Sequence, residues 1–233
     1  MESVPLPRLR LDPPPADMDW AAPFTGTVLW LAGPEAPTLF AGLRTELSEG
    51  VVEASVRVVP VAGPRPGRNP WAARQDRQQP LRWGAGDGLD GPAELGEWLE
   101  HQGVSTPIDG VVFAGVCATL PDQALRTLLR QLAPLLAPDA PFLLGEPNGR
   151  SAVRVSRSLL TSAGDRGEGK GTARTVEELR RLLETGGLGL TGAWAAPAAR
   201  RRERVARRVF GQDAAAPWML VTGRALRGGQ ELR

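Results

Sequence analysis

One short stretch, VLWLAGPEA from Val28 to Ala36, has the residue types of a turn that binds a ligand through its backbone. An apolar run ends at a small residue, a glycine and a proline, and a helical pattern follows. Glycine at such a strand-to-helix turn lets a ligand approach the backbone, and N–H groups at the helix start bind anionic groups. Pro34, however, lacks a donor, and Glu35 places a negative charge near the helix start. The stretch is therefore either a ligand-binding turn or only the end of a strand.

The single cysteine and the single histidine limit the chemistry that is open to the chain. One cysteine excludes an intramolecular disulfide and a cysteine-cluster metal site, and one histidine excludes a two-histidine metal site. A metal site made of carboxylates alone stays open, but no metal is predicted. Cys117 has no identifiable catalytic partner, which favours a buried, unreactive thiol over a nucleophile. Histidine is a residue type that can act as a general base, but the place of His101 just before Gly103 favours a structural role at a helix end. No catalytic residue is assigned.

Two further polar candidates, Glu146 and Asn148, follow a predicted strand in the sequence GEPN. The carboxyl ends of strands are where open α/β sheets bind ligands. Glu146 is a candidate to position or deprotonate a substrate, and Asn148 is a candidate to bind it. The alternative for both residues is that they satisfy local backbone groups.

A basic segment lies near the C-terminus, although the net charge of the chain is only +2. Between Arg200 and Arg208 there are six arginines against Glu203, so the rest of the chain is slightly acidic. Drawn as a helix, the segment has a continuous arginine stripe, which is an electrostatic footprint for phosphate, including RNA. A solvated face or a contact to an acidic protein partner is the more frequent role of such a stripe.

Hydrophobic periodicity predicts strands alternating with helices between residues 27 and 187. Predicted strands cover 27–33, 52–63, 81–91, 108–120 and 141–148, and predicted helices cover 34–49, 92–102, 121–136 and 175–185. Two closing strands, 188–194 and 217–226, have no long helix pattern between them. The first part indicates a parallel sheet covered on both faces, and the last part indicates an antiparallel pair.

The chain is expected to form one large domain, residues 23–233, preceded by a proline-rich arm over residues 1–22. No run of about 18 apolar residues is present, so no membrane span is predicted. The N-terminus lacks an apolar core of signal-peptide length, and the expected location is cytoplasmic.

Two stretches carry a resemblance to a known family. DGVVFAGVCATLPDQALRTLLRQLAPLLAPDAPFLLGEPN (109–148) and TVEELRRLLETGGLGLTGAW (175–194) are similar to the middle and late strands and helices of class I S-adenosylmethionine-dependent methyltransferases. APWMLVTGRAL (216–226) resembles the last strand of that family. The resemblance spans about residues 26–227 and implies a Rossmann-like α/β fold with a mostly parallel seven-stranded sheet and an antiparallel C-terminal hairpin.

The resemblance also implies where S-adenosylmethionine would bind. The first-strand turn corresponds to Leu31, Ala32 and Gly33, and the wall beside the cofactor is expected at the end of strand four, over Ala114, Gly115 and Val116. The adenine contact corresponds to Asp87, for which the alternative is a turn-forming aspartate beside glycines. Two acidic anchors of the family are missing. Trp30 stands where the first strand has an acidic residue, and residues 60–62, Pro-Val-Ala, stand where an acidic residue holds the ribose.

The function implied by the resemblance is methyl transfer from S-adenosylmethionine to a small molecule, peptide or other nucleophile. The alternative is a catalytically inactive protein of the same fold that serves as a binding or stabilising partner of an enzyme or complex. A third possibility is an RNA-associated protein that uses the stripe from Arg200 to Arg208.

Overall fold

The computed structural model describes residues 11–33, 36–47, 49–58, 81–84, 94–151, 173–196 and 216–226. Seven strands form one sheet: β1 Val28–Ala32, β2 Val51–Val58, β3 Leu81–Gly84, β4 Gly110–Ala114, β5 Pro141–Pro147, β6 Leu188–Ala195 and β7 Trp218–Ala225. Within the described ranges four helices accompany them: α1 Leu39–Glu46, α2 Leu95–His101, α3 Asp122–Leu132 and α4 Val176–Thr185. No helix in these ranges is long and apolar enough to cross a membrane.

The strand order is β3-β2-β1-β4-β5-β7-β6. β1 lies parallel to both β2 and β4, and β4 lies parallel to β5, so these four strands end at the same edge of the sheet. β7 runs antiparallel to both β5 and β6. The predicted fold class, a mostly parallel Rossmann-like seven-stranded sheet with an antiparallel C-terminal pair, is confirmed.

The direction of β3 differs from the expected parallel arrangement. β3 is antiparallel to β2, and its first residue, Leu81, lies opposite Val58, the last residue of β2. A parallel neighbour needs a crossover to the opposite edge, whereas an antiparallel neighbour begins at the edge where the preceding strand ends. The chain therefore returns to the sheet beside the point where it left it.

Two apolar layers cover the sheet. The larger cluster lies between the sheet and helices α2, α3 and α4, and it includes four leucines on one face of α3: Leu125, Leu128, Leu129 and Leu132. The smaller cluster lies on the α1 side and includes Trp30, Phe40 and Leu43. α3 gives way to a 3₁₀ turn over Ala133–Leu135, because Pro134 cannot donate a helical hydrogen bond.

The proline-rich N-terminal segment packs against the edge of the sheet. Leu11 is buried in the larger cluster, and Asp12 bridges to Trp194 on the edge strand β6. The ring of Trp20 meets the ring of Trp194 edge-on, at 5.6 Å between centroids. Asp12 is followed by three prolines, which cannot donate to a ladder, so the pairing at this edge stays short.

Candidate functional site

The candidate site lies where β1 and β4 end side by side. β2 follows β1 on one side and β5 follows β4 on the other, so the order of the strands reverses between β1 and β4. In open α/β sheets this reversal is where ligands bind, outside the carboxyl ends of the strands. Both central strands end here in residues with little or no side chain: Ala32 and Gly33 after β1, and Ala114 and Gly115 after β4.

The ends of strands β1 and β4 are in contact through their backbones. The Gly33 N–H donates to the Ala114 carbonyl at 2.9 Å, and Ala32 forms an isolated bridge with Gly115, whose φ is +76°. A Cβ atom at Gly33 would lie 2.5 Å from the carbonyl carbon and oxygen of Gly115. Position 33 therefore requires glycine, and the Gly33 N–H is bonded within the protein rather than directed at a ligand.

The residues expected at the cofactor differ in accessibility. Ala32 and Gly33 are partly exposed, whereas Leu31 and Val116 are buried in the larger apolar cluster. Ala114 and Gly115 are also buried. The structure thus brings the predicted turn and the predicted wall together, and the turn is the more accessible of the two. Their roles toward a cofactor stay predictions.

Trp30 fills the position where the resembled family has an acidic residue. Its side chain is only 4% exposed and meets Phe40 of α1 edge-on, at 6.0 Å between ring centroids. The guanidinium carbon of Arg44 lies 6.0 Å from the centroid of the Trp30 ring, within the range of a cation–π contact. An indole therefore packs α1 onto β1 at the position where the resemblance implies a carboxylate.

Several predicted site residues lie outside the described part of the chain. These are Asp87, Pro34 and Glu35 of the turn, residues 60–62, and the arginine stripe from Arg200 to Arg208. The adenine contact by Asp87 stays a prediction.

The structure buries both of the polar candidates at the end of β5. Glu146 is 0% exposed and accepts a hydrogen bond from Nη1 of Arg174 at 3.0 Å. The Asn148 side chain donates to the Ala216 carbonyl and accepts from the Arg150 N–H, each at 3.0 Å. This geometry favours the alternative left open by the sequence, in which these groups satisfy internal partners, over direct contact with a substrate.

Arg174 was not identified from the sequence, yet it is the centre of the polar cluster beside the site. Its guanidinium donates to Glu146, to Asp122 at 2.9 Å, and to the carbonyls of Cys117 at 2.8 Å and Leu120 at 2.6 Å. Its side chain is 2% exposed. A single arginine between a glycine-rich stretch and a capping residue gives no periodic signal, so nothing in the local pattern marks it.

Cys117 lies next to this cluster and is fully buried. Burial, reinforced by the Glu146 carboxylate and only partly offset by Arg174, raises the pKa of the Cys117 thiol well above its ordinary value. The thiolate is the nucleophilic form, so the predicted unreactive thiol agrees with this environment. His101 is exposed and lies in the last turn of α2, at the helix end predicted for it.

Metal ligands are not gathered anywhere in the described ranges: no group of three or more His, Cys, Asp or Glu side chains is placed to hold an ion there. At the carboxyl edge, Ala32 and Gly33 form a floor with little side-chain bulk, next to the charged side chains of Arg174, Glu146 and Asp122. Such an edge can bind a ligand through backbone and shape; among the described residues it presents no exposed catalytic group.

Comparisons with known proteins reach only distant structures. No protein-family model matches the chain, and no curated protein matches it. Similar solved structures include the mitomycin 7-O-methyltransferase MmcR, at 16% identity over 89% of this chain and 50% of that one with a TM-score of 0.47. The O-methyltransferase NcsB1 from neocarzinostatin biosynthesis, in complex with S-adenosylmethionine and 2-hydroxy-5-methyl naphthoic acid, is 17% identical over 91% of this chain and 51% of its own, with a TM-score of 0.45.

A third similar structure is RosA, the N,N-8-amino-8-demethyl-D-riboflavin dimethyltransferase from Streptomyces davawensis. It is 15% identical over 86% of this chain and 50% of its own, with a TM-score of 0.45. The present chain thus spans about half the length of these three proteins. The similarities are too distant to transfer the role of any residue.

Proposed function

We propose that this chain binds S-adenosylmethionine at the carboxyl edge between β1 and β4 and transfers its methyl group to a small-molecule or peptide acceptor. The observation that carries the proposal is the absence of side-chain bulk where the strand order reverses: Ala32 and Gly33 stand beside Ala114 and Gly115. Ligands of open α/β sheets bind at this place. The resemblance of residues 109–148 and 175–194 to methyltransferases supplies the identity of the proposed ligand.

The described residues fit this cofactor in part. The partly exposed floor at Ala32 and Gly33 admits a ligand close to the backbone. The acidic anchor of the first strand is absent, because Trp30 occupies its position, and the Gly33 donor is bonded to Ala114. The acidic contact would then have to come from Asp87.

The chemistry demands little of the protein. When bound, S-adenosylmethionine supplies a methyl group that is already activated on a sulfonium sulfur. The contribution of the chain is to hold the acceptor in line and to exclude water, and the rate then arises from effective concentration. A site of this kind needs no nucleophile, so the burial of Cys117 and Glu146 does not conflict with the proposal.

A second function, binding without catalysis, is favoured by one specific observation. The indole of Trp30 packs on Phe40 where a carboxylate is expected, and the N–H of Gly33 is already bonded. A chain with these two changes can keep the fold while losing the cofactor, and it would then act as a partner of an enzyme or complex.

Calorimetric titration with S-adenosylmethionine and S-adenosylhomocysteine distinguishes the two functions. We expect binding in the micromolar range, about −8 kcal/mol. Ala32→Leu should weaken it about tenfold or more, because the added side chain occupies the floor, and Asp87→Ala should weaken it through the lost acidic contact. The matched controls are Ala193→Leu, at a partly exposed alanine on the distant β6, and Asp17→Ala, at an exposed aspartate of the N-terminal segment.

Two results would count against methyl transfer. Absence of heat and of thermal stabilisation at millimolar ligand would favour the non-catalytic function, and a search for a protein partner would follow. Binding that Ala32→Leu and Ala193→Leu alter equally would place the ligand elsewhere. Both outcomes require that each variant melts cooperatively near the wild-type temperature.

A further inference from the structure

One buried guanidinium joins three segments that meet at the carboxyl edge of the sheet. Arg174 donates from Nε to Oδ1 of Asp122, the first residue of α3, and from Nη1 to Glu146 on β5; its Nη2 also lies 2.9 Å from Oδ1 of Asp122 as an ion pair. It also donates to the carbonyls of Cys117 and Leu120, which bracket the 3₁₀ turn Cys117–Thr119 after β4. The path of the chain from the end of β4 to the start of α3 is therefore tied to β5 through one side chain.

Arg174 is itself held in place by its neighbours in the chain. Its carbonyl accepts from the Gly149 N–H at 3.0 Å, just after β5. The next residue, Thr175, caps α4 in a reciprocal capping box with Glu178. A side chain whose backbone is fixed on both sides arrives at its four acceptors already oriented, which lowers the entropic cost of making these bonds.

The turn that Arg174 holds is continuous with the proposed ligand floor. Cys117 is two residues from Gly115, and Gly115 is in backbone contact with Gly33. A displacement of the turn would therefore move the end of β4 against the end of β1. Arg174 and Glu146 are the two buried charged residues in the described part of the chain.

We propose that Arg174 is a positioning residue of the carboxyl-edge site: it fixes the carbonyls of Cys117 and Leu120 and so sets the geometry of the end of β4 for a ligand. The proposal rests on the proposed function for the identity of the ligand. It predicts that ligand affinity falls when the fork of donors is lost, even if the charge and the fold are kept.

Arginine is required for this task because of its geometry. The planar guanidinium presents five N–H donors in a fixed fork, whereas lysine offers one compact ammonium on a flexible stem. A lysine at position 174 keeps the positive charge beside Glu146 but cannot reach Cys117, Leu120 and Asp122 at the same time. Arg174→Lys therefore separates the positioning role from the charge.

The experiment compares Arg174→Lys with Arg180→Lys in the full chain. Arg180 is the matched control, because it lies on α4, which begins just after Arg174, and its partly exposed side chain pairs with Glu184 at 2.7 Å. For Arg174→Lys, we expect S-adenosylhomocysteine to bind about tenfold or more weakly, because the end of β4 would no longer be held in its binding geometry before the ligand arrives. Arg180→Lys should stay within about twofold of the wild type. Unchanged affinity in a folded Arg174→Lys would overturn the proposal.

Amide hydrogen exchange provides a second readout that does not depend on the ligand. The N–H groups of Thr119 and Leu120 bond within the turn, to Val116 and Cys117. In Arg174→Lys, exchange should accelerate in residues 116–120 while the centres of β4 and β5 keep their protection. Acceleration spread evenly over the sheet would overturn the proposal, because it would report only a loss of global stability.

The two readouts keep the proposals apart. If the wild type binds neither S-adenosylmethionine nor S-adenosylhomocysteine, the proposed function fails, and exchange in residues 116–120 alone decides whether Arg174 positions the turn. If Arg174→Lys does not fold, Asp122→Asn replaces it, because Asp122 is 58% exposed and its change buries no new charge. Local acceleration in that variant supports the proposal, and wild-type exchange in residues 116–120 opposes it.

Discussion

Replacing Arg174 by methionine tests the buried cluster most directly, because it removes the charge and all of its donors while keeping a long side chain. The Arg174 side chain is 2% exposed and that of Glu146 is 0% exposed. Methionine is a flexible, unbranched apolar side chain that can fill the space of the aliphatic part of Arg174. The loss of stability is therefore dominated by the lost polar contacts. The carboxylate of Glu146 would stay inside the protein without the counter-charge of Arg174.

The expected cost follows from the burial of each partner. Breaking a buried ion pair by removing one member costs about 3–5 kcal/mol. The contact to the more exposed Asp122 adds at most about 1 kcal/mol. The carbonyls of Cys117 and Leu120 also lose charged donors, but these losses are not additive with the first. We expect a decrease in unfolding free energy of about 3–5 kcal/mol, a large fraction of the 5–15 kcal/mol typical of a domain.

Urea denaturation followed by tryptophan fluorescence measures this loss, since the chain has seven tryptophans. The control is Arg180→Met, which breaks an exposed i,i+4 pair and should cost about 0.5 kcal/mol or less. A double variant, Arg174→Met with Glu146→Gln, should recover about 0.5–3 kcal/mol relative to the sum of the single changes, because the two groups are in direct contact. A loss below about 1 kcal/mol for Arg174→Met would refute the buried ion pair.

Three further outcomes are expected. Gly33→Ala should destabilise the protein by about 1–3 kcal/mol in the same urea assay, because its Cβ would lie 2.5 Å from the backbone of Gly115. The control Gly42→Ala, whose Cβ enters open space on α1, should stabilise the protein by about 0.5–1 kcal/mol. Equal effects of the two substitutions would contradict the contact between Gly33 and Gly115. Thr175→Ala should cost about 1 kcal/mol through loss of the capping box, and a neutral result would contradict the cap. The Cys117 thiol, whose pKa burial raises, should react with an aromatic disulfide reagent at pH 8 only in urea; rapid reaction of the native protein would show that it is accessible.

Local patterns predicted the elements with strong periodicity or end signals. The leucines of α3 recur every three or four residues, so one face of the helix was identifiable and is buried. The helix predicted over 175–185 agrees with α4, whose start is fixed by a capping box between Thr175 and Glu178, a local contact between residues three apart. Small residues after β1 and β4 indicated the edge of the sheet, because they come directly after each apolar run and are therefore also a local signal.

Features that depend on distant pairs could not be predicted in this way. The direction of β3 depends on the edge at which the chain returns after residue 80, and neither its apolar pattern nor its length encodes that edge. Arg174 contacts Glu146 and Asp122 across 28 and 52 residues, so no local spacing contains the cluster. Glu146 was a candidate because it is polar at a strand end; whether it faces a ligand or an internal arginine depends on a segment that folds back much later.

The buried charged cluster around Arg174 and the packing of Trp30 on β1 call for different explanations, because their contributions to stability differ. A buried ion pair is seldom the most stable choice, because apolar residues of similar volume often stabilise a core equally well or better. A cluster that spans β4, β5 and α3 is therefore better explained by the geometry it imposes on the end of β4 than by stability. Trp30, by contrast, is an apolar side chain packed on Phe40, and its contribution to stability is sufficient to explain it. The end of β4 thus has the features of a positioned site, whereas the side of β1 that carries Trp30 has those of a core.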